Sequence, residues 1–234
     1  MQSLSAGMTP RSDFWLRHLG PALVIAAVLL ALDTTPLDSV ISNWFFDSVA
    51  GAFPLRHNAV LEVLGHLWAK ELIVMAAGCV IGMCLLSFVH PALGPHRLLL
   101  LFLSLALTLA PLAVTLLKAS SARHCPWSLQ EYGGFAPHLS LFDAAPPDMA
   151  PGHCFPSGHA SGGFALLAFY FAGHALGNRR LAWSGLGSGL VIGMAFGMVR
   201  VAQGAHFLSH NLWSALVCWL VILALYVAVM RMPK

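Results

Sequence analysis

Long apolar runs separated by short polar breaks fill most of this chain. The runs Leu72–Val89, Leu98–Leu117, Ala160–Leu176, Leu181–Val199 and Leu212–Met230 each approach or reach the length a helix needs to cross a bilayer. An earlier run, Leu19–Leu32, is shorter; Phe14, Trp15 and a snorkelling Arg17 extend it. The rival reading of that run is a cleaved signal peptide. Leu32-Asp33-Thr34-Thr35 is a poor small-x-small cleavage site, which favours a retained span. Residues 33–71 mix acids with Trp44, Phe45, Phe46 and Phe53, the pattern of a surface segment lying partly in the membrane interface. The pattern predicts an all-α membrane protein. The expected architecture is a six-transmembrane-helix bundle, a single domain over residues 1–234, with a long extracytoplasmic loop between the third and fourth spans.

Composition agrees with that pattern. The chain is 58% hydrophobic and 9% charged, against about 25% charged in soluble domains, and its mean hydropathy is +0.77. A net charge of +3, dispersed along the sequence, gives no basis for binding nucleic acid. Charge also orients the bundle. With the N-terminus in the cytoplasm, the inner segments hold Arg11, Arg17, Arg97, Arg179, Arg180, Arg231 and Lys234 against the single acid Asp13. The longer outer segments hold Arg56, Lys70, Lys118, Arg123 and Arg200 together with the remaining acids. The positive-inside rule places both ends in the cytoplasm. Gly185, Gly189, Gly193 and Gly197 recur at steps of four in the fifth span, so they share one face and predict close helix packing rather than a ligand site. A span seated that tightly fixes Arg200 beyond its end.

The candidate chemistry centres on Cys154-Phe155-Pro156-Ser157-Gly158-His159-Ala160-Ser161, where a polar loop meets an apolar run. Pro156 and Ser157 read as a helix entry, with the Ser157 hydroxyl able to cap it. Gly158 lets a ligand approach the backbone. The first N–H groups of a helix suit a phosphate. In the predicted topology Lys118, Ser157 with His159, Arg200, and His206 with His210 all stand at outer helix ends. Ionisable groups gathered at one membrane depth are functional candidates. Two fixed cations, helix N–H donors and two imidazoles form a set suited to phosphoryl transfer.

These residues resemble the type 2 phosphatidic acid phosphatase superfamily. The likeness rests on Pro156-Ser157-Gly158-His159 and on Arg200 followed after five residues by His206, and it covers roughly residues 68–230. The resemblance implies that His206 attacks phosphorus and forms a phosphohistidine. His159 then protonates the leaving group. Lys118, Arg200, Ser157 and Gly158 hold the phosphoryl oxygens, and no metal or other cofactor is needed. The chain departs from the family pattern in three places. The first-motif Arg position, counted from Lys118, falls on Cys125, and Arg123 is the candidate substitute. Val199 replaces the Ser before Arg200. The Asp that orients the nucleophile is His210. His206 and His210 are four residues apart and share a helix face. The expectation is either a weakened nucleophile or a loop acid, Asp143 or Asp148, in the orienting role, with a spectator His210 as the plainer alternative.

The loop 119–153 carries five prolines and the aromatics Trp127, Tyr132, Phe135 and Phe142, and reads as a lid over a lipid head-group site. Cys125 and Cys154 stand near its two ends on the oxidising side, where a disulfide is expected. Closing such a loop is worth about 3 to 4 kcal/mol in the chain-entropy model. Cys79, Cys84 and Cys218 lie within spans and read as packing residues. The expected partners are the bilayer and a lipid phosphate: polyprenyl diphosphate, lipid A or phosphatidylglycerophosphate. The expected location is a bacterial inner membrane with the site facing the periplasm. Three rivals stay open. One is a phosphotransferase that passes phosphate to a lipid acceptor. Another is zinc held by His206 and His210 with His159, His153 and Cys154 nearby. The third is a non-catalytic transporter or assembly subunit.

Overall fold

The computed structural model describes residues 11–63 and 69–230. Arg231 and Lys234, used above to orient the chain, lie outside them. The described residues form helices α1 (Arg11–Leu32), α2 (Leu37–Asn43), α3 (Ala59–Glu62), α4 (Ala69–Leu86), α5 (Arg97–Ala119), α6 (Gly158–Phe164), α7 (Ala168–Ala175), α8 (Arg179–Ala202) and α9 (Leu208–Met230). No strand occurs among them. Helices α1, α4, α5, α8 and α9 coincide with five of the six apolar runs, and α6 with α7 covers the sixth. Among the described residues, four segments are long and apolar enough to cross a membrane: Asp13–Leu32, Pro91–Ala119, Arg179–Ala202 and Leu208–Met230. Ile73–Leu86 is a shorter apolar helix.

The run Ala160–Leu176 is not one continuous α-helix. A 3-10 turn at Ala165–Leu167 separates α6 from α7. The broken rod presses against α8 along the glycine stripe. A Cβ added at Gly163 would come within 2.5 Å of the Gly193 backbone, and one at Gly193 within 2.3 Å of the Phe164 ring. Gly185 and Gly189 face Phe169 and Leu167 in the same way, and Gly197 faces Asn211 of α9. Small residues let the backbones approach, and the gain inside a bilayer comes from van der Waals packing rather than from excluding water. The central core joins Phe102, Ala106, Ala110 and Val114 of α5 to Ala160, Phe164, Phe171, Cys218 and Ile222.

A second layer covers one end of the helices. Phe53, Leu129, Tyr132, Ala136 and Phe207 form its buried core, with Phe45, Phe46, Trp127 and Met149 packed around them. The segment after α1 is therefore only partly a surface element. Trp44 is exposed, whereas Phe53 is buried against the loop that follows α5. Two carboxylates fasten this layer down. Asp33, just past α1, pairs with Arg123 at 3.0 Å and accepts the Leu141 N–H at 2.7 Å. Asp38 of α2 accepts the Ser209 N–H at 2.9 Å and the Ser209 hydroxyl, which places an acid against the first turn of α9, where unpaired N–H groups favour it.

Candidate active site

Four helix ends meet beneath the covering layer. Lys118 stands in the last turn of α5. Beside it, Gly158 and His159 open α6, so close that a Cβ on Gly158 would lie 4.0 Å from the Lys118 side chain. Arg200 stands in the last turn of α8. The turn from α8 to α9 carries His206. Gly204 in that turn has φ +69°, and a Cβ there would strike the Phe53 ring at 2.4 Å. A side chain fits neither the backbone conformation nor the space.

Hydrogen bonds hold these ends in register. The Ser157 N–H donates to His210 O at 3.2 Å. The Ser214 hydroxyl reaches both Ser157 O at 2.9 Å and His210 O at 2.8 Å. Trp127 N–H donates to Gly204 O at 2.9 Å, which ties the loop to the turn bearing His206. Arg56 stacks on the Trp127 ring at 4.6 Å, and Arg200 lies 5.8 Å from its centroid. Arg200 donates to Gln203 Oε1 at 2.7 Å. A disulfide joins Cys125 to Cys154 with their Cα atoms 5.2 Å apart.

The rings of His159 and His206 are neighbours, 6.5 Å apart between centroids and tilted at 54° to one another. His206 is nearly fully buried. Its Nδ1 lies 3.3 Å from His210 Nδ1 and 3.6 Å from Cys154 Sγ, so Nε2 is the nitrogen available to a substrate. Burial holds the His206 pKa well below the ordinary imidazole value, and the nearby His210, Lys118, His159 and Arg200 push the same way. The ring is neutral at pH 7. One neutral ring must donate across the short Nδ1–Nδ1 contact. When His206 is the donor, its Nε2 carries the lone pair that a nucleophile needs.

Lys118, Gly158 and His159 line the polar end of a cavity of about 650 Å³. The rest of its wall is mostly apolar, built from Ile73, Val74, Ala77 and Ile81 of α4, Leu107 and Pro111 of α5, and Phe196 of α8. A family model described as the PAP2 superfamily matches residues 98–233, from α5 to α9 and across each of these helix ends.

The chain belongs to the PAP2 superfamily. This family is generally one of phosphatases. No curated protein and no solved structure matches the chain.

Against the PAP2 pattern, the structure arranges several expected residues differently. Arg123 does not line the cavity of Lys118 and His159. It is buried, paired with Asp33, and donates to Leu139 O at 2.9 Å, beside a separate cavity of about 420 Å³ near Phe155 and Trp213. Its guanidinium joins the first helix to the loop. Ser157 occupies the N-cap position of α6, but its hydroxyl makes no cap hydrogen bond and is buried without a partner among the described residues. Asp143 turns to the Ser140 N–H at 2.7 Å. The side chain contacting His206 at the PAP2 Asp position is His210 itself. Gln203, Asp33 and Asp38 take positioning roles that no motif in the sequence marks. Gln203 is fully buried and orients Arg200. Its signal was a lone amide three residues past Arg200, one helical turn away. The two acids stood close after an apolar run in a chain with few charges.

Proposed function

We propose that the protein is a membrane lipid phosphatase that works through a phosphohistidine on His206. The observation that carries this reading is the pair of imidazoles whose centroids lie 6.5 Å apart: His159 lines a cavity that is polar at Lys118 and apolar beyond it, and His206 lies buried behind His159. A lipid phosphate matches both halves. Its tail lies along α4 and α5, and its phosphoryl group reaches Lys118 and the first N–H groups of α6. His206 Nε2 attacks phosphorus, and His159 gives a proton to the departing oxygen. The cations Lys118 and Arg200 balance the charge on the phosphoryl oxygens. Water, deprotonated by His159, then cleaves the P–N bond and releases phosphate. His210 holds the His206 ring in the tautomer that frees Nε2.

In this reading all six apolar rods cross the bilayer, with the site at the periplasmic face of a bacterial inner membrane. The substrate is a polyprenyl diphosphate, lipid A or phosphatidylglycerophosphate. The test is phosphate release from a panel of these lipids by purified protein, with His206→Ala as control. The variant is expected to lose activity and to trap no labelled phosphate. Equal release by both proteins would remove the mechanism. Label found in a second lipid rather than in water would make the enzyme a phosphotransferase with the same intermediate.

A further inference from the structure

The contact between Cys154, His206 and His210 has the dimensions of a metal site. We propose that reducing the Cys125–Cys154 disulfide opens a zinc site formed by Cys154, His206 and His210. All three residues are buried, and one ligand atom from each lies within 4.8 Å of the others. Tetrahedral zinc with bonds of about 2.3 Å to sulfur and about 2.05 Å to nitrogen has S···N edges of about 3.5 Å and N···N edges of about 3.3 Å. The structure has Cys154 Sγ 3.6 Å from His206 Nδ1, and His206 Nδ1 3.3 Å from His210 Nδ1. Two edges of the tetrahedron are already at coordination length, and the third closes from within 4.8 Å. One thiolate with two imidazoles and a water is a zinc donor set, and the absence of a carboxylate among these ligands disfavours magnesium and calcium.

The disulfide keeps the site shut, because its Sγ has no charge to give. A dithiol reductant opens it. Cys125 is half-buried and Cys154 fully buried, so a reductant thiolate attacks Cys125 Sγ. The S–S bond breaks, and Cys154 Sγ leaves with the electron pair. The second thiol of the reductant then displaces Cys125, the reductant becomes a disulfide, and its two protons end on the two cysteines. Zinc replaces the Cys154 proton and takes the Nδ1 lone pairs of both imidazoles. His206 is then fixed with its proton on Nε2 and has no lone pair for phosphorus. Metal binding follows from the geometry alone, whereas the loss of activity rests on the function proposed above.

Cobalt(II) is the probe, because it accepts the same tetrahedral site and shows thiolate ligation as a charge-transfer band. Full-length protein in detergent is titrated with cobalt before and after treatment with a dithiol reductant, which is removed by desalting before the metal is added. The reduced wild type is expected to bind a single equivalent with the thiolate band, and the oxidised protein to lack that band. Cys125→Ala is expected to show it without reductant, and the Cys125→Ala, Cys154→Ala double variant to lose it. Absence of the band from reduced wild type overturns the proposal, whatever the fate of the variants. A band of equal strength in oxidised protein, or one that survives in the double variant through Cys79, Cys84 or Cys218, overturns it as well. Zinc is expected to abolish phosphate release by reduced protein and a chelator to restore it. If no form of the protein releases phosphate, the functional reading fails while the cobalt spectrum still decides the site.

Discussion

Replacing His210 with Asp tests how the proposed nucleophile, His206, is governed. The Oδ of an Asp and the Nδ1 of a His are both bonded to Cγ, so His210→Asp puts an oxygen where Nδ1 now lies 3.3 Å from His206. The contact survives as a hydrogen bond from His206 Nδ1, and a negative charge replaces a neutral ring. At 3.3 Å and an effective dielectric of about 20, a carboxylate and an imidazolium attract by about 5 kcal/mol. Burying the carboxylate costs several kcal/mol of that. The remainder is a rise of about one to three units in the His206 pKa, the range seen for close opposite charges. The assay is the pH profile of kcat for phosphate release. Burial disfavours the His206 imidazolium, so in the native protein the limb for its protonation is expected on the acid side of the ordinary imidazole value. His210→Asp is expected to move that limb upward by one to three units. His210→Asn, with an acceptor oxygen but no charge, should leave it near the native position. A limb that stays in place in the Asp variant, or moves equally in both, would refute the assignment of position 210 as the group acting on His206.

Further outcomes follow from packing and burial. Gly163→Ala drives a methyl against the Gly193 backbone at 2.5 Å. Overpacking of about 1 to 3 kcal/mol exceeds the propensity gain of about 1 kcal/mol, so thermal unfolding should show a lower Tm and kcat should fall as α8 carries Arg200 outward. Gly187→Ala, with nothing within 4 Å, should be neutral or slightly stabilising in the same assay. Arg123→Gln leaves Asp33 buried and unpaired, and should destabilise by about 3 to 5 kcal/mol in denaturant unfolding. Asp33→Asn with Arg123→Gln together should recover part of that loss. The depressed His206 pKa means the unfolded chain binds a proton that the folded one refuses. Its contribution is intact above the unfolded value near 6.5 and is lost as pH falls from there toward the folded pKa, by about 1.4 kcal/mol per unit. A Tm that is flat across that acid window in wild type would contradict a buried, neutral His206.

Much of the helical layout was legible because apolar runs of membrane length have few other stable outcomes. The spacing in Pro156-Ser157-Gly158-His159 and from Arg200 to His206 was enough to gather the two imidazoles, since each motif sits at a helix end. The stripe from Gly185 to Gly197 announced its packing face by its period of four. Contacts across many residues were not legible. Arg123 looked like a phosphate ligand because it lay near the expected motif position, and only the fold reveals Asp33, ninety residues earlier, as its partner. The loop acids Asp143 and Asp148 are the ones near the motifs in sequence, yet it is Asp38, far upstream, that meets α9, at Ser209. The break between α6 and α7 has no mark in the sequence either, because Ala165, Leu166 and Leu167 carry no helix-breaking signal, and the departure coincides with the crowding of Leu167 against α8.

The groups gathered at these helix ends come from α5, α6, α8 and the turn before α9, so they are made in widely separated moments of translation. Lys118 and His159 leave the ribosome well before His206 exists. In the mechanism proposed above, a partly synthesised chain thus holds cations and a proton donor but no nucleophile, and is expected to dephosphorylate nothing in the membrane that receives it. Competence arrives only when the final hairpin of helices docks.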